Sequence, residues 1–233
     1  MRIAFCGTAN QNILQFSNDF RREFPMYSVH KDQFNTVAPD EKNSLATQIT
    51  QSSILNTLLD DVMKYDKNDN ILFNYSLIDN LVTSMWLNTQ EMVSDQFIKK
   101  SMVLIKQALH FYDMILYFPN SAKYTPPNDS DKDLSEERLL AKRCYEIETG
   151  NLYTAIHDWY LAGNQEIFDF NSIDGCPALI EIFGNAQERI EITKLYIDKD
   201  GQPFGRKSSD SLITLPSIEE QHEIDKIRAM LAK

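Results

Sequence analysis

The first two dozen residues constrain the fold more than any other stretch. Arg2–Cys6 is a short, nearly unbroken apolar run, and Gly7–Gln11 interrupts it with small and polar residues. From Asn12 onward Ile13, Leu14, Phe16, Phe20 and Phe24 recur at roughly helical spacing until Pro25. A strand that is apolar at almost every position, instead of at alternate ones, is covered on both faces, as in the interior of a parallel sheet. Parallel strands cannot be joined by a tight turn and need a crossover, usually a helix. The strand, the turn and the helix of this opening therefore predict an α/β fold.

The rest of the chain repeats the pattern. Short strands are expected at Met26–Val29, Ile71–Phe73, Met114–Phe118 and Pro177–Ile182, each bounded by turn residues or Pro. Helical spacing marks one helix or a broken pair over 40–65, a helix over 76–87, and another capped by Thr89 and running to about Tyr112. The stretch 120–133, rich in Pro, Asn, Asp and Ser, reads as a loop. Ser135 opens a further helix that runs to about Glu148; Gly150 and Asn151 break it, and 152–161 continues as a separate piece. A helix follows the last strand over 186–196. Gly201, Pro203 and Gly205 make 198–213 a linker or exposed hairpin, and Ser217 with Glu220 forms a capping box that opens a C-terminal helix over 214–233. The expected organisation is one α/β domain over 1–197, a three-layer sandwich with a mainly parallel sheet, then the linker and the helix.

Composition narrows the function classes. A formal net charge of −11 opposes binding to nucleic acid, which needs a basic footprint. The most apolar run, 102–118, is interrupted by Lys106, Gln107, His110 and Asp113, so no membrane span and no membrane partner are expected. No signal peptide is visible at the start, and a cytoplasmic location is the expectation. Cys6, Cys144 and Cys176 are too few and too scattered for a disulfide framework or a zinc site. The four histidines lack metal-ligand spacing, so the expected metal ligands are none.

Three segments carry a resemblance: Arg2–Thr8, Phe73–Asn80 and Ile182–Arg189. In order and spacing they resemble the P-loop kinases of the nicotinamide-riboside-kinase-like and phage deoxynucleotide-kinase-like group, over residues 2 to about 196. The resemblance implies a P-loop NTPase-like sandwich with its nucleotide-binding turn at Gly7, Thr8, Ala9, Asn10, Gln11 and Asn12. A working turn reads G-x-x-x-x-G-K-[ST]: backbone amides cradle phosphate, the lysine neutralises it and the hydroxyl meets magnesium. Counted from Gly7, the second glycine falls on Asn12, the lysine on Ile13 and the hydroxyl on Leu14. Asn is among the few residues that adopt left-handed backbone, so the first change is mild, whereas Ile13 removes a cation where a polyphosphate would sit.

The second segment departs in the same way. The Asp-Arg pair that the resemblance implies after the strand falls on Asn74 and Tyr75, and an amide brings no negative charge to a metal. Asp79 does match and is a candidate substrate contact. Where the resemblance implies an arginine-bearing lid, this chain has Lys123, Arg138, Lys142 and Arg143, of which Arg138 and Arg143 are candidate contacts. Gly184 and Arg189 fall where a loop beside the nucleotide base is implied.

No catalytic residue is assigned. The expectation is a catalytically degenerate kinase-like protein acting as a binding or assembly module. It would engage a protein partner or a second copy through the apolar face of its C-terminal helix, Ile224, Ile227 and Leu231. The alternative is a nucleoside or nucleotide phosphotransferase, with ATP and magnesium as cofactors, that has rebuilt its phosphate site from Lys123, Arg138 or Arg143. A third reading is a sensing module that holds a base or nucleoside without triphosphate. The Asn-rich, Gly-poor composition resembles that of phage proteins.

Overall fold

Five strands, β1 (Arg2–Gly7), β2 (Ser28–Val29), β3 (Ile71–Phe73), β4 (Met114–Phe118) and β5 (Ala178–Glu181), form one sheet in the order β2-β3-β1-β4-β5. Every pairing is parallel. The structure is a computed structural model that describes residues 1–8, 11–31, 47–120, 135–172 and 175–204. Six α-helices connect and cover the strands: α1 (Ile13–Glu23), α2 (Gln48–Val62), α3 (Leu77–Thr89), α4 (Asp95–Ala108), α5 (Glu136–Leu161) and α6 (Ala186–Lys194).

β1 is the central strand, and its composition follows from that place. Ala4 and Cys6 point into one core with Phe73, Ile115, Tyr117 and the inner faces of α2 to α5. Ile3 and Phe5 point into the other with Leu116, Phe118 and residues of α1 and α6. This alternation makes three layers, as the sequence predicts. The α1 side is aromatic: Phe16 lies edge-on to Phe118 at 4.9 Å and to Phe5 at 5.3 Å between ring centres. Edge-to-face pairs of this kind add to the stabilisation from burial alone.

The one charge in the first strand has a structural cause. Arg2 is buried, and its Nε donates to Asp113 Oδ2 at 3.3 Å while its backbone N–H donates to the same oxygen at 2.7 Å. At the edge, β2 is pinned by His30, whose Nε2 lies 3.0 Å from Asp61 Oδ2 on α2 and whose Nδ1 lies 2.9 Å from Tyr65 Oη. The cluster holds a two-residue strand that ladder bonds alone would secure weakly.

Three expectations are corrected. Thr89 ends α3 instead of capping the next helix; its hydroxyl donates to the Trp86 carbonyl, and Ser94 caps α4 by accepting from the Phe97 amide. α4 then stops at Ala108, with Leu109–Phe111 in a 3₁₀ turn. Gly150 does not break its helix, because α5 runs through it without interruption. The glycine is explained by packing: a Cβ there would sit 3.0 Å from Asn120 Cβ, where the chain leaves β4. Where a linker or exposed hairpin is expected, Ile197 bridges Pro203 in antiparallel fashion, as in a hairpin, and the Gly201 carbonyl accepts from buried Tyr27 at 2.6 Å. The expected loop at 120–133, apart from Asn120, and the C-terminal helix lie outside the described residues.

Candidate functional site

The carboxyl ends of β1 and β3, the first turns of α1 and α3 and the inner face of α5 enclose a cleft of about 590 Å³. In open α/β sheets this is the side on which ligands bind. Gly7 ends β1 there, and a Cβ on it would lie 2.7 Å from the Phe118 carbonyl oxygen, so the neighbouring strand alone requires glycine.

The turn then closes as a 3₁₀ step, Gln11 N–H to Thr8 O at 3.0 Å. Asn12 adopts φ 53°, ψ 43°, and the Phe16 amide donates to its carbonyl to begin α1. The left-handed backbone expected at the second-glycine position is therefore present, supplied by Asn. Ala9 and Asn10 lie outside the described residues.

The side chains that follow do not resemble a phosphate site. Ile13 packs against the aromatic core, and Leu14 stands 68% exposed at the lip of the cleft. The first amides of α1, which have no acceptor within the helix, are the phosphate-cradle feature that remains. Asn74 and Tyr75 follow β3 into the wall, and Asn74 Oδ1 is buried without a hydrogen-bond partner.

Asp79 lies at the base of the cleft, 3% exposed, in the first turn of α3. Its Oδ1 accepts from Gly7 N at 3.2 Å and Tyr153 Oη at 2.5 Å; its Oδ2 accepts from Ser76 N at 2.6 Å and Ser76 Oγ at 2.7 Å. The carboxylate thus fills its acceptor sites by joining β1, α3 and α5. Burial raises its pKa from 3.8 to about 6, against the opposing effect of the Tyr153, Ser76 and Gly7 hydrogen bonds. Burial also raises the Tyr153 hydroxyl well above the usual range, with the Asp79 charge adding to the effect.

α5 supplies Tyr145, Thr149 and Tyr153 to the wall. Sequence reasoning missed all three, although their spacing of four places them on one helix face. The candidate contacts Arg138 and Arg143 are exposed on α5 and are not among the residues that line this cleft. Lys142, half-buried, lies 3.9 Å from Glu146.

Gly184 and Arg189 are drawn to the first turn, though not into the cleft. Gly184 has φ +93°, and a Cβ would sit 2.4 Å from Glu188 Oε2, the carboxylate that completes the α6 capping box. Arg189 is buried; its Nε donates to Gly184 O at 2.9 Å, and its terminal nitrogens donate to Gln11 O at 2.6 Å and Gln11 Oε1 at 2.8 Å. Its guanidinium also rests 5.2 Å from the centre of the Phe118 ring. Among the described lining residues there is one carboxylate and no Lys, Arg or His. Among the described residues no group of three His, Cys, Asp or Glu could hold a metal ion.

No protein-family model matches the chain, and no characterised protein matches it by sequence. Among solved structures, it is similar to the deoxyadenosine kinase from M. mycoides with the products dCMP and a flexible dCDP bound. That match has a TM-score of 0.58 and 15% identity over 83% of this chain and 96% of that one. The chain shares the fold of that kinase. The same kinase with bound dATP aligns with a TM-score of 0.53 and 16% identity, over 83% and 97% of the two chains. NadR in complex with NAD and AMP-PNP aligns over 88% of this chain and 51% of NadR, with 10% identity and a TM-score of 0.49. On this fold the described cleft wall carries amides, hydroxyls and phenols beside the Asp79 carboxylate. No helix among the described residues is long and apolar enough to cross a membrane.

Proposed function

We propose that the chain is a binding module on a nucleotide-kinase scaffold that does not transfer phosphate. The observation that carries this reading is the cleft wall, in which the described residues include no Lys or Arg and one acid whose acceptor sites are filled. Phosphoryl transfer depends on fixed positive charge where negative charge accumulates, and on a metal held between phosphate oxygens. Ile13 and Leu14 stand where the cation and the metal-binding hydroxyl would be, and Asn74 stands where a metal-placing carboxylate would be. Arg189, the buried cation at the turn, donates to Gln11 and Gly184.

Under this reading the scaffold is kept for recognition: a ligand derived from the nucleotide class in the cleft, or a protein partner or second copy through residues 214–233. The competing reading, a phosphotransferase with a rebuilt site, draws support from Asn12, whose left-handed backbone keeps the shape of a phosphate cradle. One experiment separates them. The full chain is incubated with magnesium, γ-labelled ATP and a panel of nucleosides and nucleotides, and its melting temperature is followed with ATP with and without magnesium. No label transfer and no magnesium-dependent shift are expected. Transfer at any sustained rate, or a large shift with ATP and magnesium, would overturn the proposal.

A further inference from the structure

The contact between Asp79 and Tyr153 lies in the cleft wall and joins a buried carboxyl group to a hydroxyl that can turn round. We propose that this pair is a proton-operated switch: when Asp79 is protonated the Tyr153 hydroxyl reverses, accepting from the carboxyl group and turning its own proton to the cleft. Such a switch leaves the fold in place and is independent of whether the cleft transfers phosphate.

The ionised carboxylate receives four donors. Gly7 N and Ser76 N are backbone amides and can only donate, whereas the hydroxyls of Ser76 and Tyr153 can donate or accept. A neutral carboxyl group carries a proton of its own and needs an acceptor for it, so one of the two hydroxyls has to reverse.

Ser76 is poorly placed to do so. Its Oγ already accepts from Asp79 N at 3.3 Å to cap α3, and the residue is fully buried outside the cleft lining, so its displaced proton would become an unpaired buried donor. Asp79 Oδ2 also holds the short bond from Ser76 N, 2.6 Å, whereas Oδ1 holds the longer one from Gly7 N, 3.2 Å, which costs less to weaken. The proton therefore falls on Oδ1, beside Tyr153 Oη at 2.5 Å. Tyr153 Oη has no other hydrogen-bond partner among the described residues, and Tyr153 lines the cleft, so its displaced proton meets water or a ligand there. Asp79 takes one proton from solvent, and the Tyr153 O–H turns about its Cζ–Oη bond without breaking.

The surrounding groups leave Asp79 to titrate alone. Cys6 faces it from β1, Tyr145 and Tyr153 from α5, and Tyr75 lines the same wall after β3; α3 carries no other titratable residue. Burial pushes the Cys6 thiol and the Tyr145 and Tyr153 hydroxyls upward, so these three stay neutral while Asp79 titrates at about 6. No Lys, Arg or His among the described lining residues holds the carboxylate in its charged form. On the alkaline side the cleft faces a charged carboxylate and a phenol oxygen. On the acidic side it faces a neutral floor that offers an O–H donor.

Raman spectra of the full chain across pH 4 to 8, minus those of Tyr153→Phe, test the proposal. They isolate the Tyr153 ring doublet, whose intensity ratio separates a donating phenol from an accepting one. Isotope-labelled tyrosine placed at position 153 of the wild-type chain isolates the same bands should that variant fail to fold. The ratio should move from donating toward accepting as pH falls through about 6, and Asp79→Asn should abolish the change. Amide exchange in α5, corrected for the intrinsic effect of pH, should be the same on both sides of the transition, because the contact persists in reversed form. A doublet that keeps its donating ratio throughout would overturn the proposal. So would faster exchange in α5 on acidification, which would show that protonation breaks the contact instead of reversing it.

Discussion

Asp79 shows how much depends on a single carboxyl group here. Its folded pKa of about 6 lies above the ordinary carboxyl value of 3.8, so the native state takes up a proton that the unfolded chain does not between these two values. Its contribution to stability is therefore fully present below the unfolded value and is lost as pH rises through about 6. A shift of roughly two units corresponds to about 3 kcal/mol. Urea unfolding of the wild type and Asp79→Asn across pH 4 to 8 should show the wild type gaining stability relative to the variant on acidification. A constant difference between them would contradict the assignment. Ile13→Lys belongs to the same scale: an ammonium at the first turn of α1 should tighten AMP or ATP binding by about tenfold in calorimetry without creating turnover, because the metal-placing residues are still missing. Gly184→Ala should cost about 2 kcal/mol in urea unfolding. It combines a disfavoured φ of +93° with a collision against Glu188 that opens the α6 capping box.

At the scale of elements, the sequence is most readable where the physics is local. β1 and β4 could be read from unbroken apolar runs, and α1 from its aromatic spacing, because a doubly covered strand and an amphipathic helix each leave a short-range pattern. Gly150 misled because its role is set by Asn120, thirty residues away, and not by helix propensity. Thr89 misled because Ser94, five residues on, offers a better-placed cap. In the site, the apolar Ile13 and Leu14, at the positions where the resemblance implies a lysine and a hydroxyl, could be read by counting from Gly7. The contact between Arg189 and Gln11 spans 178 residues and has no local signature. The face of α5 that lines the cleft was available in the spacing of Tyr145, Thr149 and Tyr153, but its charges drew attention to the exposed side. Because Tyr153 Oη donates to Asp79, Tyr153→Phe should destabilise the chain by about 1–3 kcal/mol in denaturant unfolding. It should also raise the pH at which Asp79 takes up its proton, since that hydrogen bond holds the pKa down.

For the whole molecule, the two cores lie on opposite faces of one sheet, and the first turn stands at the end of its central strand. Arg189 is the central fastening, tying the segment after β5 to the turn after β1 across one end of the molecule. Arg189→Met keeps much of the apolar stem but leaves the Gln11 carbonyl and side-chain oxygen without these donors. The expected loss is about 3 kcal/mol in urea unfolding, with faster amide exchange in both α1 and α6. An effect confined to α6 would show that the two ends of the contact are independent.

Gly7 stands at the start of this turn and is held there by the carbonyl of Phe118, a partner that has nothing to do with phosphate. A residue with two reasons to exist outlasts the loss of either. Packing against β4 is reason enough for a glycine at this position, whatever the chemistry of the turn that follows. The glycine by itself therefore says little about phosphate, and the residue six positions later, the apolar Ile13, says more.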